Sequence, residues 1–209
     1  MEFYEAIPLR DIERMMRGIP NFLPRGHGVI IACGLEQSAA FEKRMETGAA
    51  SRREILTETM AAIRYPPFIL RLEQYIKESE KTPMDFRNEK HRTAFVEAVA
   101  KLDKKNYALM AALYLLTADH RLWMASGRAV SRNAVSFDKI RLQNSTEYGY
   151  TLYCATKDLY LGTKNLTIRD LADPELIPPK LFGMICNAMA IRRFGLGAVK
   201  FQTEGTEVR

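Results

Sequence analysis

Hydrophobic positions recur at three- and four-residue spacing along most of this chain, the pattern of amphipathic helices. One stretch departs from it. From Tyr107 to Ala118 no residue is charged; Leu109, Leu113 and Leu116 mark one helical face, and Met110, Tyr114 and Leu115 mark another. A helix that is apolar all round is either buried or spans a membrane. This run is 12 residues long, and a span needs about 20. The stretch Asp103–Ala118 is therefore predicted to be a central buried helix, with Asp103 as its cap.

The other elements follow from punctuation around shorter stripes. Pro8 opens a helix carrying Leu9, Ile12, Met15 and Met16, which Gly18 ends. Asn21–Gly28 is a loop rich in breakers, and Val29–Cys33 reads as a strand or buried coil. Leu35–Glu46 is an amphipathic helix ended by Gly48. Ser51 and Glu54 form a capping box for a helix over Arg52–Tyr65 that buries Ile55, Leu56, Met60 and Ile63. Pro66 and Pro67 stop it. Pro67 starts the next helix, to about Glu80, with Phe68, Leu72, Tyr75 and Ile76 on one face. Asn88 caps a helix bearing His91, Phe95, Val96 and Val99. Asp119–Arg141 is less regular, with a loose apolar pattern at Ala134–Phe137. Ser145 or Thr146 caps a helix that runs to Leu161 and ends at Gly162. Thr167 and Asp170 make a second box before a short turn near Leu171. Pro178 and Pro179 open the last helix, with Leu181, Phe182, Ile185, Met189 and Ile191 on its inner side. Arg192 and Arg193 oppose the negative end of that helix's own dipole, and Gly195 ends it. The expected fold is mainly α: a multi-helix bundle around the buried central helix 103–118, with little or no sheet.

Charge adds a division. Residues 1–85 carry 12 Lys and Arg against 13 Asp and Glu, whereas residues 86–209 carry 19 against 12. The sign changes at Lys81–Asp85, where Pro83 sits between charged helical segments. The expected domains are an N-terminal helical region, 1–84, a C-terminal helical core, 85–201, and a polar tail, 202–209. A basic C-terminal half admits nucleic acid or an acidic protein surface as partner. The three cysteines, Cys33, Cys154 and Cys186, lack zinc-ligand or redox spacing and read as buried free thiols in a reducing compartment. The N-terminus lacks a signal-peptide pattern, and no 18-residue apolar stretch exists. The expected location is the cytoplasm, with no membrane contact.

The C-terminal part carries Phe86-Arg-Asn-Glu-Lys-His91 with Phe95, then Tyr107 and Ala111–Asp119. Tyr150-Thr151, Leu159-Tyr160 and Leu171-Ala-Asp173 follow, and Leu181-Phe182, Asn187-Ala188 and Ile191–Gly195 complete the set. Over about residues 85–197 this resembles a domain-of-unknown-function family of Firmicutes, their phages and mobile elements. The resemblance implies a small helical cytosolic protein in a mobile-element setting. It carries no assigned activity, so it transfers no catalytic residue.

Chemistry-bearing residues are few. The three histidines, His27, His91 and His120, have no metal-binding spacing, and no metal or cofactor is expected. His91 reads as a hydrogen-bonded structural histidine. Asp119-His120, after the central helix, could do acid–base work; the plainer reading is a polar helix terminus with His120 favoured by the dipole. Arg25–Gly28 could hold a phosphate through Arg25 and two close-approach glycines, but it lacks P-loop or dinucleotide spacing and fits a structural turn. Polar residues at Lys43, Thr47, Glu54 and Thr57 exclude a typical helix-turn-helix around Gly48.

The best binding segment is His120–Arg141. Arg121, Arg128, Arg132, Lys139 and Arg141 face a single acid, Asp138, with Trp123 and Phe137 interleaved. Arginines can neutralise phosphates while exposed aromatics stack on bases. The alternative is a solvated loop whose Trp123 is tucked into the core. The expectation is a non-enzymatic binding or regulatory protein of phage or mobile-element origin. Its partner would be a protein or protein–nucleic-acid complex, with inhibition of a host defence nuclease complex as a fitting role. The alternatives are direct nucleic-acid binding through segment 120–141, and a small enzyme with a site near Arg25–Gly28 or Asp119-His120. Oligomeric state is not legible.

Overall fold

A computed structural model describes residues 41, 43–45, 47, 49–81, 86–102, 106–143 and 145–199. The chain divides into two compact units, Met1–Lys43 and Arg44–Arg209. In the first, Phe41 and Lys43 are helical. The predicted helix at Pro8–Gly18, the loop Asn21–Gly28, Val29–Cys33 and the polar tail lie outside the described residues.

The second unit holds helices α1 (Arg52–Thr59), α2 (Pro66–Lys81), α3 (Glu89–Val99), α4 (Tyr107–Thr117), α5 (His120–Ser126), α6 (Glu147–Leu161), α7 (Ile168–Ala172) and α8 (Pro179–Phe194), with 3-10 turns at Phe137–Lys139 and Gly195–Ala198. Among the described residues there is no strand, only an isolated antiparallel bridge between Val130 and Val135. The fold is an all-α bundle. No helix among the described residues is long and apolar enough to cross a membrane.

Local capping chemistry sets most of the boundaries. Ser51 and Glu54 close a capping box on α1, and Arg44 grips Glu54 through two bonds of 2.7 and 2.8 Å. These bonds hold the Glu54 carboxyl down to about 2. Asn88 caps α3, Thr146 caps α6, and Thr167 with Asp170 boxes α7. Gly162 ends α6 at φ 73°, in the left-handed region that favours glycine.

Three boundary expectations need correction. The central helix begins at Tyr107 rather than Asp103; Asn106 caps it, accepting from the Leu109 N–H at 3.1 Å. α1 ends at Thr59, not Tyr65, with Met60 as its C-cap. α2 accordingly starts at Pro66, where a missing N–H costs no bond. Arg192 and Arg193 lie in the last turn of α8, as expected, and also reach neighbouring helices. Arg193 donates to the Glu58 carbonyl and carboxylate at the end of α1, and Arg192 donates to the Leu159 carbonyl near the end of α6.

α4 is central: every residue from Leu109 to Thr117 is buried. Each fully buried leucine there contributes about 2 kcal/mol of transfer free energy. α3, α5, α6 and α8 pack around it. The single inner stripe expected for α8 is too narrow. Leu181 through Ala188, Ala190 and Ile191 are all buried, so α8 is a second central helix. It packs against α4 and α6 on one side and α1 on another. α1 and α2, which sequence alone assigns to the N-terminal region, thus belong to the same unit as α8. Aromatic edges lock the layers, with Phe68 against Phe182 at 5.6 Å and Phe95 against Tyr114 at 5.4 Å.

Candidate macromolecule-binding surface

The chain leaves α4 through a short polar junction. Asp119 caps α5, its Oδ1 accepting from the Leu122 N–H at 3.0 Å. Its other oxygen lies 3.4 Å from Arg87 Nη1, and that nitrogen also donates to the Ala118 carbonyl at 3.0 Å. The Arg87 guanidinium lies 4.3 Å above the Tyr148 ring, whose buried hydroxyl has no hydrogen-bond partner among the described residues. Burial raises the Tyr148 phenol above its ordinary pKa. Asp119 is therefore engaged in structure. His120 is the exposed first residue of α5.

Beyond α5 the chain folds into a small anchored hairpin. Ala129 and Val130 donate to the Ser126 carbonyl at 2.8 and 3.1 Å. Ser136 donates to Ala129 and Ser131 to Ala134, both at 2.9 Å. Across the turn, the Ser131 hydroxyl also accepts from the Ala134 N–H at 3.1 Å. Ala129, Val135, Phe137 and Ile140 are buried and fix the hairpin to the body. Phe137 lies 5.9 Å from Tyr153 and 5.8 Å from Tyr160 on α6, and the Tyr160 hydroxyl accepts from the Val135 N–H at 3.4 Å.

The basic side chains are all on the outside. Arg121, Arg128, Arg132, Lys139 and Arg141 are exposed, as is Asp138. Arg128, Lys139 and Arg141 make no ion pair with any described residue. Trp123 is half-buried beside Met124, which is 68% exposed. The interleaved aromatics do not form a stacking platform, because Phe137 points inward; apolar burial outweighs exposure for a ring next to two tyrosines.

His91 is a buried structural histidine. Nε2 lies 2.8 Å from the Tyr114 carbonyl, and Nδ1 accepts from the Arg87 N–H at 3.1 Å. That pair of partners fixes the neutral tautomer with the proton on Nε2. Burial, with Arg87 beside it, pushes its pKa down to about 4 despite the Tyr114 bond. Cys154 and Cys186 are free and buried, and burial pushes the Cys186 thiol up to about 12. Cys33, His27 and the Arg25–Gly28 string lie outside the described residues. Among the described residues no three His, Cys, Asp or Glu side chains are placed to hold a metal ion.

Sequence reading missed two constellations. A groove of about 250 Å³ lies between α2 and the segment leading into α8, with Leu70, Gln74, Glu78, Pro174 and Pro179 on its walls. Arg71 crosses it, donating to the carbonyls of Leu171, Asp173 and Ile177, with its guanidinium 4.4 Å over Phe182. The second is a buried polar relay. Arg52 donates to the Tyr75 hydroxyl at 2.6 Å and to Asn187 Oδ1 at 2.8 Å, and Asn187 Nδ2 donates to the Tyr114 hydroxyl at 3.0 Å. No local signal could reveal either, since the partners lie far apart in sequence. No family model, curated protein or solved structure matches this chain.

Proposed function

We propose that this chain is a non-enzymatic binding protein that presents segment 120–141 to a polyanionic macromolecule, with nucleic acid as the best-supported partner. One observation carries the reading. Arg128, Lys139 and Arg141 are exposed, without ion partners among the described residues, beside a turn closed by main-chain hydrogen bonds. Cations with neighbouring carboxylates would be neutralised in place, whereas these keep their charge for an external partner. A pre-formed loop also loses little conformational entropy on binding. The polar residues at Asp119 and Arg87 support structure rather than turnover, since each is already engaged by the backbone.

The resemblance over residues 85–197 adds a phage or mobile-element setting, in which occupying a host defence nuclease complex is the fitting role. Cleavage by such a complex with and without this protein tests that narrower role.

The direct test is binding of the purified chain to fluorescent single- and double-stranded nucleic acids across a salt series. Affinity of about micromolar or tighter, falling steeply with salt, is expected, because each neutralised phosphate releases condensed counterions. Replacing Arg128, Lys139 and Arg141 together by alanine should abolish it. Absence of binding at low salt rejects nucleic acid and leaves an acidic protein surface as the partner.

A further inference from the structure

Trp123 and Phe137 form no stacking platform, but α6 offers aromatic rings beside the same segment. Resting on the reading above, we infer that one face of α6 takes the unpaired bases of a single-stranded nucleic acid, with Tyr150 and Tyr153 as stacking rings and Lys157 on the strand's phosphates.

Four observations carry this. First, Tyr150, Tyr153, Lys157, Tyr160 and Leu161 recur at helical spacing and share one face of α6. Tyr150 is 57% exposed and Leu161 53%, while Tyr153, Lys157 and Tyr160 are half-buried. Second, the Tyr150 ring makes no aromatic or cation–π contact with any described residue, so its faces are open. A base can stack on such a ring whatever its identity, because every base has a π-face. Third, the charge on this face is positive. Lys157 Nζ lies 5.8 Å from the Tyr153 ring centroid. The other charged residues of α6 are Glu147, in its first turn, and Asp158. The Asp158 carboxylate is turned to the following loop, where it accepts from the Thr163 hydroxyl and from the Asn165 and Leu166 N–H groups. Fourth, the face is continuous with the basic segment. Phe137 packs against Tyr153 and Tyr160, and the Tyr160 hydroxyl accepts from the Val135 N–H. A strand whose phosphates meet segment 120–141 therefore has the α6 rings next to it. A duplex fits less well: its base faces already stack on one another, so exposed tyrosines gain nothing from them, whereas unpaired bases can splay onto a ring.

The experiment compares a fluorescent oligothymidylate, the same strand paired with oligoadenylate, and an abasic strand of equal length, by anisotropy across a salt series. The variants are Tyr150→Ala, Tyr150→Phe and Lys157→Ala, and circular dichroism confirms that each is folded. The wild type should bind the oligothymidylate about tenfold or more tightly than the duplex or the abasic strand. Tyr150→Ala should weaken oligothymidylate binding about fivefold or more at an unchanged salt slope, because stacking releases no counterions. It should leave duplex and abasic binding as in the wild type. Tyr150→Phe keeps the ring and should bind as the wild type does. Lys157→Ala should lower the log–log salt slope by about 0.7, the loss of one single-strand phosphate contact; an unchanged slope overturns that contact. Equal binding of the duplex or the abasic strand, a Tyr150→Ala variant that binds as the wild type does, or an equal loss in Tyr150→Phe overturns the stacking face and leaves the broader polyanion reading standing. Failure to bind any of the three at low salt overturns both.

Discussion

Tyr75 occupies the space that a side chain on Gly183 would need: a β-carbon there would lie 2.6 Å from the Tyr75 ring. This close approach between α2 and α8 brings the Tyr75 hydroxyl to Asn187 Oδ1, one helical turn on, at 3.3 Å. Arg52 from α1 and Tyr114 from α4 complete the relay, and the Tyr114 hydroxyl donates to Met184 Sδ at 3.6 Å. One glycine without a side chain thus lets four helices share one buried hydrogen-bond network.

Gly183→Ala should therefore destabilise the protein. Alanine improves helix propensity by up to about 1 kcal/mol, but forcing a methyl against a packed ring costs about 1–3 kcal/mol. Chemical denaturation should show a net loss. The loss should shrink in a Tyr75→Leu background, where the obstructing ring is gone; an undiminished loss there would rule out the steric account.

Asn187→Ala should cost about 3 kcal/mol, because it strands polar partners on three other helices. Tyr114→Phe removes the acceptor of the Asn187 amide at the far end of the same relay and should cost about 1 kcal/mol. Urea midpoints measure both, and the reverse ranking would show that Asn187 does not hold the network together.

Stability should decline in mild acid through His91. Its pKa is about 4 in the fold and near 6.5 when unfolded, so the unfolded chain binds the extra proton first. The contribution is complete above about pH 6.5 and is lost as pH falls toward 4. Between about pH 7.5 and pH 5 this one group should remove about 2 kcal/mol. The charged form would set an Nδ1–H against the Arg87 N–H, which now donates to that atom. Denaturation curves at the two pH values should differ by this amount in the wild type and by much less in His91→Gln.

Arg71→Lys should not be conservative. The guanidinium spans three carbonyls and stacks on Phe182, a fork that a single ammonium cannot reproduce. A loss of about 2 kcal/mol is expected. Hydrogen exchange should accelerate in residues 171–177 more than in α4; uniform exchange would contradict the local role.

The sequence by itself determined most of the described helices and, at many ends, where they stop. Ser51 with Glu54, Asn88, Thr146, Gly162, and Thr167 with Asp170 act on backbone groups within a few residues, so their spacing already states the geometry. The uncharged run at Tyr107–Ala118 likewise announced the buried helix, because no other surroundings suit it. Where two local signals competed, the reading slipped. Asp103 and Asn106 are both good caps, and the helix starts after the second; α1 ends at Thr59, short of the end its apolar stripe predicted. Tertiary structure alone decided that α8 is buried on all sides, since Asn187 and Gly183 look unremarkable until Tyr75 and Tyr114 lie against them. It also decided that Phe137 turns inward while the neighbouring cations stay outside. The physical reason is one of range. Caps and stripes are satisfied within a turn or two of chain, whereas the relay joins residues up to 135 positions apart, and only the packed bundle brings such groups within hydrogen-bonding distance.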